Sequence, residues 1–172
     1  MQPQINLSQQ EVFLKYNETI ISKTDLAGKI TYANRAFMQI ADYSESKIVG
    51  ETHTVLRHPD MPRGVFKLLW DTLIQEREFF GYVKSRTANG GFFWVMTNIT
   101  PDRDATGKVV GYFCVRRAPK KDAIVSIQHL YKEMLSVETS AGIANAPFAS
   151  VDFLRSKLKS PGTTYDKFVL SL

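Results

Sequence analysis

Residues 90–117 read GGFFWVMTNITPDRDATGKVVGYFCVRR. In the first run Phe93, Val95, Thr97 and Ile99 alternate with Trp94, Met96, Asn98 and Thr100. Such a period of two sends successive side chains to opposite faces of a strand, and one face must pack on other elements. Asp104-Ala105-Thr106-Gly107 marks a turn, after which GKVVGYFCVRR is a second β-rich run. Upstream, FFGYVKSR (79–86) ends at Ala88-Asn89-Gly90-Gly91, another turn. Three antiparallel strands therefore follow one another as a meander.

Working outward, TIISKTDLAGKITYANRAF (19–37) holds two short β-rich runs around Asp25-Leu26-Ala27-Gly28, a hairpin by its turn residues. Asn34 is placed to cap a helix over 35–42, with Ala36, Phe37, Ile40 and Ala41 inward, and SESKIVG (44–50) runs from a Ser cap to a Gly stop. HTVLRHPDMPR (53–63) follows. Asp60 at or near an N-cap and Pro62 in the first turn open a helix that runs to about Gln75, with Val65, Phe66, Leu68, Leu69, Trp70 and Leu73 as one wide buried face. RHPD thus sits where open backbone N–H groups and the helix dipole favour an anion. The alternative is structural, with Asp60 capping, Arg57 pairing with it and nothing bound. Two strands, several short helices and three strands predict an α+β layer pair with a five-stranded antiparallel sheet.

Past Pro119, Ile124, Ile127, Leu130, Tyr131, Met134 and Leu135 follow a helical period, predicting an amphipathic helix that leaves the core. SAGIANAP breaks it. The expected organisation is an N-terminal lead-in (1–17, partly helical, with Ile5, Leu7, Val12, Phe13 and Leu14), a central α+β domain (18–118), the amphipathic helix (119–137) and a tail (138–172) that docks on a partner or covers the domain.

The chain has 172 residues, 44% apolar and 12% aromatic, enough for a packed core. Its net charge of +5 is scattered apart from Arg116, Arg117, Lys120 and Lys121, which argues against a nucleic-acid interface. One cysteine, Cys114, excludes an internal disulfide and suits a reducing compartment. The first residues lack a signal-peptide pattern and no apolar run approaches the roughly 20 residues of a membrane span, so the expected location is cytoplasmic, with membrane association only through a partner. His53, His58 and His129 have no cysteine or acidic cluster to complete a metal site, although His53 or His58 could serve as a haem ligand. No phosphate loop or nucleophile motif supports an enzyme, and the Asp102-Asp104 pair lies in a polar turn.

TDLAGKITYANRAF, ADYS, RHPDMP and NGGFFWV…NITP…GKVVGYFCVRR, in this order, resemble a PAS domain over about residues 18–137. The narrower resemblance is to the flavin-binding PAS domain of Aer-type aerotaxis receptors and to the stand-alone PAS partner of bipartite energy-taxis receptors. It implies a redox sensor that holds FAD non-covalently and signals in trans to a membrane-bound chemotaxis transducer, with a PAS homodimer as a further expected partner. Arg57, His58 and Asp60 fall on the family's RHPD motif, implicated in holding FAD, and Asn34, Phe66 and Trp70 match its pocket positions. Phe79 stands where the family has a tryptophan and Ser85 where it often has an asparagine. Redox change at the ring is expected to move hydrogen-bond partners such as Ser85 or Asn98. The competing readings are a cofactor-free PAS interaction module and a haem or small-molecule sensor.

Overall fold

The computed structural model describes residues 7–160 and 162–172. Five strands form one antiparallel sheet: β1 (Ile20–Asp25), β2 (Ile30–Ala33), β3 (Phe79–Arg86), β4 (Phe92–Arg103) and β5 (Val109–Arg117), in spatial order β2-β1-β5-β4-β3. The hairpin and the meander are joined when β5 returns to pair with β1, Ser22 opposite Cys114 and Thr24 opposite Tyr112. Gly111 permits that approach, because a Cβ there would lie 2.0 Å from the Thr24 carbonyl oxygen.

Between β2 and β3 come α1 (Arg35–Ala41), α2 (Glu45–Ile48), a 3-10 turn (His53–Leu56) and α3 (Arg63–Ile74). Asn34 caps α1: Oδ1 accepts from Phe37 N at 3.0 Å and from Ile21 N at 3.1 Å, while Nδ2 donates to the Thr19 carbonyl at 2.9 Å. One side chain thus sets the angle between α1 and β1. The inner face of the sheet carries Phe93 and Val95 into a core with Ile20, Phe37, Ile48 and Leu56.

The opposite face is covered too. Trp94 and Tyr82 pack against Ala123, Ile127, Leu130, Tyr131 and Met134 of α4 (Lys121–Lys159). The amphipathic helix therefore lies on the sheet instead of leaving it, because the outward row of β4 is apolar and needs a lid. SAGIANAP breaks the helix, as its sequence leads one to expect: Gly142 has φ 76° and ψ 164°, outside helical values, and helix resumes over 143–159. Pro147 offers no N–H to the Ile143 carbonyl, which instead faces Arg63 Nη1 at 3.5 Å.

The second half of α4 and α5 (Tyr165–Ser171) fold around the β3 edge, so the described part of the tail covers the domain, with Leu154, Leu158, Tyr165 and Val169 joining Leu69 and Leu73 of α3 in one core. A covered edge strand has no open ladder to offer another chain. The described residues of the lead-in hold no helix: Glu11 bridges to Phe92, with Val12 N donating to Phe92 O at 2.7 Å and Phe92 N to Gln10 O at 2.9 Å, and a turn follows at Tyr16-Asn17. Ile5 lies outside the described residues. Among the described residues no helix is long and apolar enough to cross a membrane.

Candidate functional site

A cavity of about 270 Å³ lies between the inner sheet face, the 3-10 turn and α3. Thr24, Thr97, Ile99, Tyr112, Cys114 and Arg116 form its sheet side, while Leu56, Phe66, Leu69, Trp70 and Leu73 close the helical side. Trp70 stands at the mouth, 38% exposed, its ring edge-on to Tyr112 at 5.6 Å. The hairpin turn presses close: a Cβ on Gly28 would meet the Trp70 ring at 3.1 Å.

Four of the nine site residues named from sequence line this cavity: Arg57, Phe66, Trp70 and Ser85. Arg57 bridges β3 at Ser85 through its backbone and lays its guanidinium over the Phe66 ring at 4.6 Å. The other five do not line it. The Asn34 side chain is committed to the α1 cap and β1. Phe79 is buried at the β3 edge, stacked on Tyr165 at 6.0 Å. Asn98 projects from the far face of β4, its Nδ2 donating to Glu78 Oε2 at 3.2 Å, and the cavity position falls to its neighbour Thr97. His58 and Asp60 turn away together. Asp60 accepts from Lys84 Nζ at 2.7 Å, and His58 Nδ1 accepts from Asp60 N at 3.1 Å with its ring edge on Phe92. Burial and Lys84 lower the His58 pKa, against the opposing pull of Asp60.

The expected cap is also elsewhere. Pro62 is the N-cap residue of α3 and Asp60 makes no cap bond; the Glu138 carboxylate of α4 accepts from Gly64 N at 2.9 Å. Nor does Arg57 pair with Asp60, because Lys84 of the adjacent strand reaches that acid first.

The most polar part of the cavity was not singled out from sequence. Arg116 is buried and, among the described residues, makes no ion pair. Its Nη1 donates to Ser22 Oγ at 3.0 Å and its Nη2 lies 2.9 Å from His53 Nε2. A guanidinium only donates, so Nε2 accepts and His53 is neutral. Burial, then the Arg116 charge, holds the His53 pKa well below its ordinary value. With Nε2 engaged, His53 is poorly placed as a haem ligand. Burial likewise raises the Cys114 thiol. Two hydroxyls beside this group, Thr24 Oγ1 and Thr97 Oγ1, are buried with no protein partner. The signal was present: the period of two in GYFCVRR puts Tyr112, Cys114 and Arg116 on one face.

The PAS fold family matches residues 30–116, which hold β2, β3, β4 and β5 up to Arg116 and all of the cavity lining except Thr24, Ala27 and Gly28. The chain belongs to the PAS family. Over 137 residues this PAS chain is 36% identical to the aerotaxis receptor of Escherichia coli strain K12, a match covering 80% of this chain and 27% of that protein. It is 31% identical over 97 residues to the nitrogen fixation regulatory protein of Klebsiella pneumoniae, covering 56% and 20%. The PAS chain thus spans 27% and 20% of the length of these relatives. A light-oxygen-voltage domain studied with a flavin analogue superposes with a TM-score of 0.57 at 21% identity, covering 67% of this chain and 86% of that one. The dark-state domain of the photoreceptor Aureochrome1 gives 0.53 at 24%, covering 70% and 85%. At these identities the likeness is one of fold. The protein carries a PAS sensory domain.

Proposed function

We propose that this PAS domain is a redox sensor that binds FAD non-covalently in the cavity and signals in trans to a membrane-bound chemotaxis transducer. The observation that carries the reading is the buried Arg116, without an acid among the described residues, beside the orphan hydroxyls of Thr24 and Thr97 in a cavity of mixed apolar and polar lining. Buried donors without partners are costly, and a ligand with polar edges and an apolar face relieves them. The flavin ring is such a ligand. About 270 Å³ lies just below the usual range of ligand pockets, roughly 300–1,000 Å³, so the cavity would take the ring alone and the rest of a dinucleotide would leave by the mouth. There Arg57 is a charged donor suited to phosphate. Phe66 and Trp70 would cover the ring, Ser85 and Thr97 would meet its edge, and Arg116 would favour negative charge on it. A flavin supplies a reversible electron acceptor, and this chain's part is to bind it, exclude water and read its charge.

The RHPD resemblance and the E. coli aerotaxis relative support the signalling half. The apolar stripe of α4 is buried on the sheet and offers a partner nothing. The exposed candidate is the outer face of the hairpin half, around Tyr32, Lys23 and Phe113. Two measurements decide. Acid precipitation should release a yellow chromophore of FAD mass, and a colourless protein that refuses added FAD points to a cofactor-free module. Full-length protein should co-purify with a chemoreceptor-type transducer from the native cell, and capture of none rejects the signalling role.

A further inference from the structure

Phe79, a flavin contact by sequence, lines a second cavity instead. With Phe80, Leu68, Leu154 and Leu158 it gives a hollow of about 640 Å³ an apolar floor, where the end of α3, the start of β3 and the close of α4 meet. That volume lies within the usual range for ligand sites, roughly 300–1,000 Å³. The two cavities have no lining residue in common among those described. α3 stands between them, with Leu69 and Leu73 on one wall and Leu68 and Thr72 on the other.

Three exposed cations border the hollow, Arg77, Arg155 and Lys159, and among the described residues none of them is in an ion pair. Arg155 and Lys159 stand four apart on one helix face, a like-charge spacing that costs a helix stability. The end of α4 does not call for both. Its Leu158 and Lys159 carbonyls already accept from Thr163 N at 3.1 Å and from Gly162 N at 2.9 Å. Two acids share the border and are engaged elsewhere: Glu78 Oε2 accepts from Asn98 Nδ2 at 3.2 Å, and Asp166 lies in the first turn of α5, where the dipole favours it. An apolar floor under uncompensated cations is complementary to an amphiphile, with a hydrocarbon chain for the floor and one anionic group for the border. Guanidinium forks take a carboxylate bidentately.

We propose that this second cavity is a ligand site, independent of the first, for a single-chain carboxylate of the fatty-acid class. The chain lies along Leu68, Phe80, Leu154 and Leu158, and the carboxylate meets Arg155 together with Arg77 or Lys159. Because α3 and β3 supply one side of the site and α4 and α5 the other, a bound chain fastens the C-terminal helices to the sensor domain.

Calorimetric titration of the full chain with dodecanoate, kept below its micellar concentration, tests the site against two controls. Dodecyltrimethylammonium has the same chain and the opposite charge; acetate has the charge and no chain. Expected are one dodecanoate per protein, a raised melting temperature, and no comparable binding of either control. Arg77→Gln and Arg155→Gln should each weaken dodecanoate roughly tenfold or more, as loss of a charge-assisted hydrogen bond does, and leave flavin uptake as it was. Equal binding of the ammonium amphiphile, or a melting temperature lowered by dodecanoate, means a detergent acting on apolar surface and overturns the site. Unchanged dodecanoate affinity in both arginine variants overturns it as well. If Arg57→Gln weakens dodecanoate and Arg155→Gln does not, the carboxylate sits in the first cavity and the second site is wrong. Failure of dodecanoate to bind at all rejects the site whatever flavin does in the first cavity.

Discussion

Arg116 is a cation to which the described residues offer two neutral partners, Ser22 and His53, and no acid. An unpaired buried charge costs stability, and replacing it with an apolar side chain of similar length is often neutral or stabilising. Arg116→Met should therefore keep or raise the melting temperature of the ligand-free protein while lowering flavin uptake more than tenfold, since charge-assisted hydrogen bonds are worth about 1.5–3 kcal/mol. Calorimetry and a flavin titration check the two halves, and a lower melting temperature with unchanged uptake would show a structural arginine. His53 carries a pH prediction. Its folded pKa is depressed well below the ordinary value of 6.5, so between the two values the unfolded chain binds more protons. Stability then falls as pH falls below about 6.5 and is retained above it. His58 is shifted in the same direction. Denaturation midpoints from pH 7.5 to 5 should decline, and His53→Gln should flatten the decline in part.

At the scale of elements, the β1–β5 pairing joins the two halves of the sheet, and Gly111 is its narrowest point. A methyl there meets the Thr24 carbonyl oxygen at 2.0 Å, and that atom is backbone. Gly111→Ala must spread the strands and move Thr24 and Tyr112, both in the cavity wall. A loss of about 3 kcal/mol or more is expected, at the upper end of overpacking, together with lost flavin uptake. Gly107→Ala is the control, with nothing within 4 Å of the added Cβ, where only the strain of its positive φ applies. Equal losses in urea denaturation would mean that the close approach is not what matters. The β3 edge shows how elements override local signals. Met61 Sδ and the Tyr131 hydroxyl both take backbone groups of β3, Lys84 N at 3.2 Å and Tyr82 O at 2.7 Å respectively, the hydroxyl donating.

For the molecule as a whole, the inner core holds the cavity and the outer core holds the C-terminal helices on the far sheet face and around the β3 edge. A chain ending at Gly142 loses Leu154, Leu158, Tyr165 and Val169, each worth about 1.5–3 kcal/mol of burial as an upper bound. It should unfold at lower denaturant with a smaller m-value and bind a hydrophobic dye. A chain ending near Pro119 loses Ile127, Tyr131 and Met134 as well and should fare worse. Unchanged midpoints for both would show that the C-terminal helices lie outside the cooperative unit.

The strands, their turns and the start of α3 were legible because period two, glycine turns and Asn34 before a helix act over a few residues. Arg57, Phe66, Trp70 and Ser85 came from the resemblance to the flavin-binding PAS family, which matched them to its pocket positions. Tertiary structure decided the rest. Which face of β4 met the cavity, Thr97 or Asn98, depended on which of two apolar faces each helix layer covered, and period alone treats both alike. The N-terminus of α3 called for an anion, but the carboxylate that answered came from Glu138, 74 positions beyond Gly64. The apolar row of α4 read as an exit or a docking stripe until Trp94 and Tyr82 gave it a surface to bury. Local hydrogen bonds and periodicity settle what an element is; which partner satisfies its remaining donors, charges and apolar area is settled only when distant segments compete for the same space.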